Sequence, residues 1–162
     1  MHAIETKSYE PDESNFSILI QNSVTPTNCF NQAVVADRDT KQVSLYLAKS
    51  EWNHTTLRKV RGRKEVLVPA ISFKEAIEGC DCVKMDIEGA ELPILDKCDF
   101  SGLKKMVIAY HVNYAPDLDE LLRRIERLKT FFQKVQHARL PKREAMANKK
   151  VFPNEVMLYC SN

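Results

Sequence analysis

Three carboxylates crowd one short stretch of this 162-residue chain, Val83-Lys84-Met85-Asp86-Ile87-Glu88-Gly89-Ala90-Glu91-Leu92. A brief apolar run, interrupted only by Lys84, gives way there to a loop and then to a helical pattern. Asp86 and Glu88 therefore fall at the end of a strand, on the rim where open α/β sheets bind their ligands. Two positions apart in extended chain, their side chains would point to the same side. Like charges that converge cost energy unless a cation, a metal or hydrogen-bond donors compensate them. A carboxylate so placed could take a hydroxyl proton, or hold a divalent cation that lowers the hydroxyl's pKa. Gly89 permits a tight turn or a close backbone approach. Blander readings stand beside these: Asp86 as a helix N-cap, Glu88 as a solvated charge, and Glu91 as a charge that the dipole favours at a helix start.

His111, just past the apolar run Met106-Val107-Ile108-Ala109, is a second candidate base, because its charge changes near neutral pH. Its competing role is that of a strand-end histidine capping backbone groups. Arg58-Lys59-Val60-Arg61-Gly62-Arg63-Lys64 puts five basic residues in seven and could contact phosphates, but no aromatic residue interleaves with them. With 24 basic and 22 acidic side chains the net charge is +2, so no global field draws the chain to nucleic acid or membrane. Five cysteines (Cys29, Cys80, Cys82, Cys98, Cys160) include no Cys-x-x-Cys pair, so reduced thiols are expected and no metal-ligand set stands out. No apolar run approaches the roughly 20 residues of a membrane span. No basic segment followed by an apolar core marks the N-terminus for secretion, and a cytoplasmic protein is expected.

The elements that must position these groups alternate between strands and helices. Lys7–Glu10 reads as extended chain stopped by Pro11, and Asp12 as the cap of a helix on which Phe16, Leu19 and Ile20 share a face. Cys29–Val35 reads as one strand, and Val43, Leu45 and Leu47 alternate as a half-exposed second one. Glu65–Pro69 is a third. Ser72 with Glu75 forms a capping box for a helix through Glu78. Cys82–Met85 and Lys105–Tyr110 are strands flanking a helix from about Ala90 to Lys97. The strongest stripe, Leu118 to Val135 with Asp117 as cap, predicts one long helix. Glu155–Cys160 closes the chain as a strand. This order implies a single α/β domain with a largely parallel sheet.

The stretch Lys84 to Leu92 resembles, nearly letter for letter, the Lys-hydrophobic-Asp-hydrophobic-Glu-Gly-Ala-Glu-Leu segment of the FkbM methyltransferases. Tyr9-Glu10-Pro11-Asp12-Glu13-Ser14-Asn15-Phe16 is similar to the family's aromatic-Glu-Pro-x-Pro-x-Asn-Phe box, with Glu13 in place of the second proline. Asn31-Gln32-Ala33-Val34-Val35-Ala36-Asp37 and Val68-Pro69-Ala70-Ile71-Ser72-Phe73 add weaker matches in the right order, so the resemblance covers about residues 7 to 112. It implies an α/β fold, a Rossmann-like class I methyltransferase sheet with helices on both faces, and residues 1–162 as a single domain. It also implies S-adenosylmethionine as methyl donor, and O-methylation of a small-molecule or glycan acceptor. Glu10 would grip the ribose hydroxyls, and Gln32 and Ala33 would lie near adenine. Asp86 and Glu88 would face the methyl group and its acceptor. His54, Thr55 and Thr56 lie where the family has small polar residues near the acceptor. Ala109 or Tyr110 replaces an acidic residue the family often has, which leaves the base open.

One part of the pattern is missing. None of Gly62, Gly79, Gly89 and Gly102 precedes Glu10 or forms Gly-x-Gly. The sheet is therefore expected to lack the first strand and its glycine-rich loop. Two expectations follow: a fragment of a longer polypeptide, or a short relative with lost or changed function. In the second case a non-catalytic scaffold or a nucleic-acid-binding module competes with an enzyme.

Overall fold

The computed structural model describes residues 5–48, 54–57, 63–114, 117–138, 140 and 155–162. Most of the basic stretch, residues 58–62, lies outside the described residues. The chain forms two compact units, Met1–Ala76 and Ile77–Asn162.

In the first unit, strand β1 (Ser8–Tyr9) pairs in parallel with β2 (Cys29–Phe30). Helix α1 (Glu13–Asn22) lies between them in sequence, and the Asp12 side chain caps it by accepting from the Asn15 N–H at 3.0 Å. The single strand expected over Cys29–Val35 breaks at Asn31-Gln32 and resumes as β3 (Ala33–Val35). The break has a local cause. The Asn31 amide turns aside to donate to the Glu10 and Pro11 carbonyls at 2.9 and 3.2 Å. Past it, the chain enters a second sheet, where β3 runs parallel to β5 (Lys64–Ser72) and β4 (Gln42–Leu47) runs antiparallel to β5. Ala33, Leu45 and Val68 form the core beneath that sheet. The expected Ser72–Glu75 capping box is present, with Glu75 Oε2 accepting from the Ser72 hydroxyl at 2.6 Å. The helix it starts, α2 (Phe73–Ala76), is shorter than expected and passes into a turn.

The second unit is a four-stranded sheet in the order β6-β7-β9-β8. Strand β6 (Cys82–Met85) is parallel to β7 (Lys105–His111), while β9 (Glu155–Ser161) runs antiparallel to β7 and to β8 (Lys134–His137). Met106, Ile108, Ala109 and Tyr110 are all buried, so β7 is covered on both faces, as its unbroken apolar run requires. Helix α3 (Glu91–Lys97) buries Leu92, Ile94 and Leu95, and α4 (Leu118–Leu128) buries Leu121, Ile125 and Leu128. Asp117 caps α4 through the Asp119 N–H at 2.8 Å.

Two expectations change here. The long helix ends at Leu128 instead of Val135. Phe131 and Phe132 both donate to the Leu128 carbonyl at 3.0 Å, and Val135 then pairs with Cys160 in the sheet. Phe132 is still buried, so the apolar stripe reaches the core from a turn and not from a helix. The strand pairing, expected to be largely parallel, is mixed among the described residues, with β4, β8 and β9 antiparallel to their neighbours. The described residues form an α/β fold with several sheets and four helices, consistent with a methyltransferase-like fold. No described helix is long and apolar enough to cross a membrane.

A carboxylate cluster around His111

Strand β6 ends at Met85, and the backbone then turns sharply before α3. Glu88 adopts φ 51° and Gly89 φ 99°. Left-handed backbone suits glycine but strains a residue with a side chain, and such strain collects at functional sites. The turn, and not extended chain, brings Asp86 and Glu88 to the same place. Both face the Nε2 atom of His111 at the end of β7, Asp86 Oδ1 at 3.8 Å and Glu88 Oε1 at 3.5 Å. Two further carboxylates join them, Glu91 and one the sequence did not single out, Glu155. Glu155 stands directly opposite His111 in the β7–β9 register, with Oε2 at 3.8 Å from Nε2. Glu91 meets the ring from the other side.

Glu91 is no ordinary helix-start charge. It is fully buried, and its carboxylate accepts three N–H groups: Gly89 N–H at 2.8 Å, His111 N–H at 2.8 Å, and His111 Nδ1 at 3.0 Å. The first holds the β6–α3 turn closed. The other two fix both the backbone and the ring orientation of His111, placing a proton on Nδ1 and aiming Nε2 at Asp86 and Glu88.

Burial alone would favour a neutral imidazole. The hydrogen bonds and negative charge of Glu88 and Glu91 overrule it and push the His111 pKa up to about 10. His111 at neutral pH is thus an imidazolium that offsets the surrounding carboxylates, and not a ready base. The Asp86 side chain is 45% exposed against 19% for Glu88, so of the two Asp86 is the more open to an incoming molecule. The side chains at the positions where an acid was looked for, Ala109 and Tyr110, are buried. The acids beside His111 come from the β6–α3 turn, from α3 and from β9 instead.

The remaining candidates belong to the first unit. Glu10 follows β1, its N–H donating to the Phe30 carbonyl at 3.1 Å. Its carboxylate accepts from the Asp12 N–H at 2.8 Å, and burial pushes its pKa up against that bond. His54 Nδ1 accepts from the Ala48 N–H at 3.0 Å, and its Nε2 lies 3.7 Å from Asp12 Oδ2. Thr55 is buried and exchanges backbone hydrogen bonds with Tyr46. Gln32 occupies the step between β2 and β3, and the Ala33 methyl packs into the core with Leu45 and Val68.

No curated protein and no solved structure matches the chain. A family model does: the methyltransferase FkbM domain matches residues 2–135, which include Glu10 and the whole segment from β6 through His111. The chain belongs to the FkbM methyltransferase family.

Proposed function

We propose that the chain takes part in S-adenosylmethionine-dependent O-methylation of a hydroxyl on a sugar or related small molecule, as a single domain in the cytoplasm. The observation that carries this reading is the convergence of Asp86, Glu88 and Glu91 on His111 within the segment most like the family's signature. Methyl transfer from a sulfonium is an in-line displacement: the carbon–sulfur bond breaks with its electron pair left on sulfur, and a carbon–oxygen bond forms. Holding the acceptor oxygen close and aligned supplies most of the rate advantage. The hydroxyl proton passes to Asp86, the more open of the two carboxylates in the β6–α3 turn. The imidazolium of His111, anchored by Glu91, offsets the charge of Glu88 and orients the rim. Glu10, a half-buried carboxylate at the end of a parallel strand, is suited to accept hydrogen bonds from a ribose diol.

Calorimetric titration with S-adenosylhomocysteine tests the reading. Saturable binding, weakened tenfold or more by Glu10→Ala, is expected. A folded chain that takes up no ligand at millimolar concentration rules out catalysis by this chain alone.

A further inference from the structure

From the arrangement around His111 we infer that Asp86, Glu88 and His111 form a site for one divalent transition-metal cation, whose job is to bind the acceptor hydroxyl and ease its deprotonation. One donor atom from each residue can be chosen so that all lie within 4.8 Å of one another. The Nε2 separations from Asp86 Oδ1 and Glu88 Oε1, 3.8 and 3.5 Å, are loose ion-pair distances that leave room for a shared cation. Charge-assisted N–H···O bonds close to about 2.7–2.9 Å, and both separations are well beyond that. Donors bound to one cation at about 2.1 Å are instead held roughly 3.0–3.4 Å apart along the edges of an octahedron or tetrahedron. Both gaps need to close only slightly to reach that range, and the cation would take the place of the Nε2 proton, which is released to solvent, and take over its charge against Asp86 and Glu88.

An independent feature of the histidine agrees. The His111 side chain is 6% exposed, and its Nε2 is aimed into the cluster while Nδ1 is tied to Glu91 at 3.0 Å. A carboxylate behind the distal ring nitrogen is the usual support of a metal-bound histidine, since it fixes the tautomer and raises the basicity of the ligating nitrogen. Glu91 is fully buried. One imidazole with carboxylates suits Mn2+, Co2+ or Zn2+ better than Ca2+. Three protein donors leave coordination positions for water and the acceptor oxygen, and Glu155, 47% exposed and 3.8 Å from Nε2, stands ready as a fourth.

The cation's role rests on the methyl-transfer reading, but its binding does not, and two titrations of one chelator-treated preparation separate them. Mn2+ is followed by electron paramagnetic resonance and calorimetry on the full chain. One saturable site is expected, with nitrogen modulation of the bound-Mn2+ signal from a coordinated imidazole. Asp86→Asn, a change at a half-exposed position, is expected to weaken binding at least tenfold with the circular dichroism unchanged. Mn2+ that fails to saturate at millimolar concentration, or that binds without nitrogen modulation and equally well to Asp86→Asn, overturns the site. S-adenosylhomocysteine binding without Mn2+ binding removes the cation and leaves methyl transfer standing. The reverse pattern keeps the cation and removes methyl transfer.

Discussion

Glu91 carries the largest local consequence of any side chain described. A buried carboxylate is tolerated only when its lone pairs are satisfied, and here three N–H groups from two elements do so. Replacing it with an apolar residue of similar size strands those donors and leaves the His111 imidazolium without its buried counter-charge. Glu91→Leu is expected to lower the unfolding free energy by roughly 3–5 kcal/mol, the usual cost of breaking a buried charged pair from one side. Glu91→Gln keeps an acceptor oxygen and should lose less than half as much. Urea midpoints of the two variants check this. A Glu91→Leu chain as stable as the wild type means that the carboxylate does not hold the turn and the histidine together. Glu88 differs in kind. Its φ of 51° is a backbone cost borne at a position whose side chain serves the cluster.

Helices α3 and α4 are fastened to each other and to β7 by two arginines of α4. Arg127 donates to the Leu95 and Cys98 carbonyls at 2.8 and 2.7 Å, satisfying the C-terminal end of α3 while its guanidinium lies over Phe100 and Phe131. Arg124 reaches both oxygens of Asp96, at 3.0 and 2.8 Å, and the Tyr110 hydroxyl at 2.9 Å. Tyr110 is the residue before His111 in β7, so the clamp steadies the strand that presents the histidine. Desolvation works to raise the Asp96 pKa, but the hydrogen bonds and charges of Arg124 and Arg123 outweigh it and leave the carboxyl below its ordinary value. A carboxyl whose pKa is lower folded than unfolded contributes stability that is present above about pH 4 and is lost as pH falls through the folded value. The stability advantage of the wild type over Asp96→Asn is therefore expected to shrink as the pH falls below about 4 and to be constant near neutrality. A gap that holds steady on acidification would show that the Asp96–Arg124 pair adds nothing. Local signals at this scale were legible in the residues: the Asp12 and Asp117 caps and the Ser72–Glu75 box follow from a side chain and the next turn of chain. The end of α4 was not, because the pairing of Val135 with Cys160 spans sequence that no local pattern links.

Over the whole molecule the same division between local and long-range information decides what could be read in advance. The Lys84–Leu92 segment carries Asp86, Glu88 and Glu91 in consecutive chain, so the carboxylates were visible as a group. Their meeting with His111 depends on β6 and β7 pairing in parallel, with Met85 beside Ile108, and Glu155 arrives only through the antiparallel return of β9. Glu91 looked like a helix-start charge because burial is a property of the assembled sheet and helices. Charge acts at this scale too: 24 basic against 22 acidic groups give no field that would gather a polyanion, so a ligand must be held by short-range contacts. Such a ligand stabilises only the folded chain. At about one hundred times its dissociation constant it adds about 2.7 kcal/mol. In a chain of this size each kcal/mol moves the melting midpoint by roughly 2–4 °C, so a rise of roughly 5–11 °C is expected with saturating S-adenosylhomocysteine. A non-catalytic scaffold of the same fold would melt just as cooperatively with no rise at all. Differential scanning calorimetry at increasing ligand concentration separates the two, since a genuine site moves the midpoint with the logarithm of concentration and a scaffold leaves it where it was.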